Sequence, residues 1–229
     1  MAVPDRNTSS LLFSIGMANI PVNVREAITE PYERARQCLA QLMTDQLIGL
    51  LRRRPHRPAL LNRRMTALTG LLYAHLLSLV QDYQNFERDP TRYRPNLELD
   101  LEHSAFWNVN QMFDDEVEES IWEEAASAVP SICSSSLVIR LREELVDLLQ
   151  FVYEDICARG LEEANEDLED QDEDEGDEGQ DLNVIAVVVE VHSRVLMEPM
   201  LATANRFLRS VQQMMVGLVR CVEAAVAHA

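Results

Sequence analysis

Apolar side chains recur along most of this chain at three- and four-residue intervals, the spacing that gathers them on one face of an α-helix. Ala35, Leu39, Leu42 and Leu50 carry the period across residues 29–54, and Thr29-Glu30-Pro31 reads as an N-cap followed by a first-turn proline. The run Arg52-Arg53-Arg54-Pro55-His56-Arg57-Pro58 stops this helix, because each proline biases the residue before it away from the α region. Leu61, Met65, Leu68, Leu72, His75, Leu79, Tyr83 and Phe86 then form the longest clean stripe, closed by Asp89-Pro90. A segment at 97–101 alternates apolar and acidic residues and reads as a strand or an extended loop. Phe113, Val117, Ile121 and Ala125 give a weaker helical stripe over 106–129, with Trp107 and Trp122 beside its acidic face. Serines at 134–136 offer a cap to a strong helix through Val138, Leu141, Leu145, Leu148, Val152 and Ile156, which Arg159-Gly160 is expected to end.

The apolar period then fails. Glu162, Glu163, Glu166, Asp167, Glu169, Asp170, Asp172, Glu173, Asp174, Glu175, Asp177, Glu178 and Asp181 are 13 acidic residues with no basic one among them, so 162–181 is expected to be a self-repelling, disordered acidic loop. Beyond it Val187, Val191 and Val195 lead, past a kink at Pro199, into Leu201, Ala204, Leu208, Val211, Met215, Leu218, Val222 and Ala225. Val187-Val188-Val189 is β-branched enough to allow a strand locally. These readings predict an all-α fold, a helical bundle of about five main helices with a disordered acidic insertion before a long C-terminal helix. The expected divisions are a flexible arm at 1–21, the bundle at 22–161, the acidic loop at 162–181 and the completing helix at 182–229.

Composition supports that class. Of 229 residues 47% are apolar, enough to bury a core, and only 7 are glycine, too few for the positive-φ turns of an all-β chain. All 20 basic residues are arginine. The lack of lysine excludes every chemistry that needs an ε-amine, including the phosphate-binding P-loop, the protein-kinase constellation and pyridoxal Schiff bases. Cys38, Cys133, Cys157 and Cys221 are scattered, with neither zinc spacing nor a disulfide framework, which fits a reducing compartment, cytoplasmic or nuclear. The longest apolar run, at 184–189, is six residues, so no membrane span is expected and the chain reads as soluble.

Charge is divided unevenly. Residues 1–94 hold 13 Arg and 8 acids, while residues 95–229 hold 7 Arg and 31 acids. The acidic loop is expected to dock a protein partner of basic character, and the overall charge disfavours direct nucleic-acid binding. The opposite feature is a basic patch of Arg52, Arg53, Arg54, Arg57, Arg63 and Arg64, read as complementing a helix C-terminus or pairing with the acidic loop.

Two carboxylate patterns bear on catalysis. Asp114-Asp115-x-x-Glu118 resembles the aspartate-rich motif of class I terpenoid synthases, without the second metal motif of that family. Glu144 and Asp147, at i and i+3, share a helix face and have the spacing to hold one hard cation. The stretch from Leu141 to Leu149 resembles the E-x-x-D helix of MazG-type nucleotide pyrophosphohydrolases, which implies an all-α enzyme with Mg²⁺ held by Glu144, Asp147 and an upstream pair, Glu118 and Glu119. Trp122 stands where that family's third upstream acid belongs.

The leading expectation is therefore a non-enzymatic helical interaction protein, an adaptor or acidic chaperone-like factor with no cofactor, binding its partner through the acidic loop and a helical groove. The alternatives are the Mg²⁺-dependent pyrophosphohydrolase and a homo-oligomer assembled through the C-terminal helix by Val211, Met215, Leu218 and Val222. His75 is expected to be a satisfied core histidine, and Met197, Met200, Met214 and Met215 to be core residues or the lining of an adaptable groove.

Overall fold

The computed structural model describes residues 17, 20–43, 57–91, 105–110, 135–169 and 178–228. Among them the regular structure is helical: α1 (Val22–Gln41), α2 (Arg57–Arg88), a short 3-10 turn (Ala105–Trp107), α3 (Ser135–Glu169) and α4 (Glu178–Ala227). Among the described residues four long helices form the bundle. Residues 111–129, most of the fifth helix expected from sequence, lie outside the described residues, as does the alternating segment at 97–101.

α1 starts at Val22, seven residues before the expected N-cap at Thr29, and Pro31 is an interior residue of the helix. The reason is burial. Val24, Ile28, Tyr32, Ala35 and Leu39 form one inward stripe that begins ahead of the proline, and a single lost backbone hydrogen bond is outweighed by carrying that stripe onto the core.

Neighbouring helices run antiparallel. Arg206 of α4 donates to Gln41 Oε1 at 3.1 Å near the end of α1, and the Cys221 thiol approaches the Asn23 carbonyl at 3.9 Å near its start. α2 returns beside them, with Tyr83 close to Cys221, and α3 lies against both α2 and α4. Leu68, Leu72, Leu76 and Leu79 of α2 meet Leu141, Leu145 and Leu148 of α3 and Phe207, Leu208, Val211 and Leu218 of α4 in one continuous core. The buried hydroxyls of Ser193, Thr203 and Ser210 each donate to the carbonyl four residues back in α4, so its inner face carries polar groups without orphaning them.

Arg159-Gly160 does not end α3. The helix continues to Glu169, and α4 is already helical at Glu178, so residues 162–169 and 178–181 of the expected disordered loop have helical backbone. Leu, Glu and Ala are strong helix formers and dominate 161–169. Gly160 serves the packing of the helix instead of its termination. A Cβ there would stand 2.8 Å from Val189 Cγ1, so the glycine lets α3 and α4 approach closely. Residues 170–177 lie outside the described residues.

Candidate functional site

α3 and α4 form a helical hairpin. Because Gln41 is level with Arg206, the part of α4 before Arg206 runs on past the end of α1 as described. Gly160 against Val189 sets the pairing of the two arms, and Arg194 ties them, donating to Glu190 at 2.8 Å on its own helix and to the Tyr153 hydroxyl of α3. The hairpin is strongly acidic, with 16 Asp and Glu against 2 Arg between residues 154 and 196.

The outward face of α4 changes character along its length. At 100° per residue, Val184, Val187, Val188, Val191 and Val195 fall within the same arc, of about 100°, as Glu198, Ala202, Asn205, Arg206 and Arg209. Ser193, Met197, Met200, Ala204 and Leu208 are buried on the other side. The lower part of the outward face is polar, as solvent requires; the upper part is valine, 55–61% exposed. The valines were expected to continue the core stripe, but they are out of phase with it. They lie opposite the buried Ser193 and Met197, which carry the core along the inner face of α4 beyond the level of Gln41.

Below the valines lies a trough of about 690 Å³, lined among others by Arg194, Glu198, Asn205, Arg206 and Arg209. Its Arg206 also donates to Gln41 at the end of α1. Asn110 brings to the trough the turn at 105–110, which two side chains fix. Asn205 Oδ1 accepts from the Val109 amide at 2.8 Å while its Nδ2 donates to Asn110 Oδ1 at 2.7 Å. Arg142 of α3, buried, donates from Nε to the Phe106 carbonyl at 2.7 Å and stacks over the Phe106 ring at 5.3 Å. Burial pulls the Arg142 pKa down to about 10, with Glu143 opposing the shift, and the side chain is still cationic at neutral pH. Phe106 meets Trp107 edge to face at 4.9 Å between ring centroids.

The carboxylates of the resemblance to MazG-type enzymes are otherwise engaged. Arg64 of α2 reaches across to α3, 3.4 Å from Asp147 Oδ2 and 3.9 Å from Glu144 Oε2, so a guanidinium occupies the position between the two acids that a cation would take. Glu118 and Glu119 lie outside the described residues, and among those described no three His, Cys, Asp or Glu side chains gather as a metal-binding group.

Other expected sites resolve as follows. Arg64 pairs with α3, Arg63 is exposed, and Arg52, Arg53, Arg54 and the Arg57 side chain lie outside the described residues. Val211, Met215, Leu218 and Val222 are fully buried in this bundle, which removes them as an oligomerisation seam. Met197, Met200, Met214 and Met215 are core. His75 is fully buried as expected but not satisfied, since neither ring nitrogen has a hydrogen-bond partner among the described residues, and desolvation lowers its pKa to about 4. Cys38, Cys157 and Cys221 are free thiols. Among the described residues no helix is long and apolar enough to cross a membrane.

The trough arginines Arg194, Arg206 and Arg209 were not singled out by sequence reasoning. A helical wheel anchored on the buried phase of α4 finds them, because it places them in line with the valines.

No family model, curated protein or solved structure matches this chain.

Proposed function

We propose that this chain is a non-enzymatic interaction protein, an adaptor or acidic chaperone-like factor, that docks an apolar and cationic protein segment on the α3–α4 hairpin. The carrying observation is the exposed valine stripe. An outward helix face is ordinarily polar; Val184, Val187, Val188, Val191 and Val195 instead present branched apolar side chains at helical spacing, each more than half exposed. Contiguous apolar surface of this kind marks recognition sites. Its surroundings are of one sign, 16 acids against 2 Arg, which selects an occupant that brings positive charge. The acidic residues of 162–169 and 178–181 belong to the hairpin's two helical arms. Arg64 between Glu144 and Asp147 weighs against the hydrolase reading.

The test uses the full chain and a synthetic amphipathic helix with a leucine stripe and an arginine-rich polar face. Fluorescence anisotropy is expected to show binding that weakens as salt rises and is lost in Val188→Asp/Val191→Asp. Absence of binding at low salt, or binding indifferent to the aspartates, overturns the reading.

A further inference from the structure

We draw no further inference here: the strongest candidate, the exposed valine face of α4 from Val184 to Val195, carries nothing beyond the reading above because nothing among the described residues shows what covers it.

Discussion

Gly217 of α4 lies directly against the backbone of α1 at Ala27: a Cβ at Gly217 would stand 2.6 Å from the Ala27 carbonyl oxygen and 3.2 Å from its Cβ. That oxygen is the one Pro31, four residues on, cannot bond, because proline has no N–H. The proline inside α1 and the glycine inside α4 thus act at one place, the first leaving a carbonyl outside the helical ladder and the second making room for it at the helix contact.

This relationship predicts opposite signs for two identical substitutions. Alanine is intrinsically better than glycine in a helix by about 1 kcal/mol. At Gly70, where a Cβ meets nothing within 4 Å, Gly70→Ala should stabilise by about 0.5–1 kcal/mol. At Gly217 the added methyl meets a backbone oxygen that cannot swing aside, and Gly217→Ala should destabilise by about 1–3 kcal/mol despite the propensity gain. Thermal melting of both variants checks the pair, and equal signs would contradict the packing described.

His75 makes stability depend on acid. Its pKa is 6.5 in an unfolded chain and about 4 in the core, so the unfolded state binds a proton that the folded state refuses. Stability from this group is complete above pH 6.5, declines as pH falls, and has lost about 3 kcal/mol once pH is below 4. Asp82 works the other way. Desolvation raises its pKa from 3.8 to about 6, so its contribution is complete below pH 3.8 and lost as pH rises through 6, on a smaller scale because the carboxyl is partly solvated. Melting temperature should therefore fall between about pH 7 and pH 4.5, less steeply in His75→Leu and more steeply in Asp82→Asn. At about pH 7 His75→Leu should itself stabilise by about 1–2 kcal/mol, having removed two unpartnered polar atoms.

How much of this was legible in the sequence varies with the cause. The helices were, because Leu61 to Phe86 and Val138 to Ile156 repeat with the α period, and every residue of those two stripes is buried. Helix ends were less so. Pro31 reads as a helix start and Gly160 as a helix stop, yet in this chain each is an interior residue at a close approach between helices, and such an approach is a property of the neighbouring helix, not of local sequence. The valine face was misread as core for the same reason. Periodicity shows that residues share a face, and only the length of α1 relative to α4 decides that the upper part of that face has no covering helix among the described residues. The pairing of Arg64 with Glu144 and Asp147, about 80 positions away, required the fold.

The turn at 105–110 should depend on Arg142 more than an ordinarily surface-seeking residue type suggests. Arg142→Ala removes the bond to the Phe106 carbonyl, the stack on the ring and a buried aliphatic stem, and should cost about 2–3 kcal/mol. Asn205→Ala, which frees the Val109 amide and the Asn110 carboxamide, should cost about 1–2 kcal/mol. Both should increase tryptophan emission changes on mild denaturation, since Trp107 is buried in this turn.

Exposed and buried valines of α4 should respond differently to the same change. Val187 is 59% exposed, so Val187→Ser should leave the unfolding free energy within about 0.5 kcal/mol of wild type. Val211 is fully buried beyond the trough, and Val211→Ser both deletes apolar contact and buries a hydroxyl. It should cost about 2–4 kcal/mol. Urea unfolding followed by circular dichroism measures both. If Val211→Ser were as benign as Val187→Ser, residues 211–222 would be a surface seam after all, and the lower half of α4 would need to be turned outward.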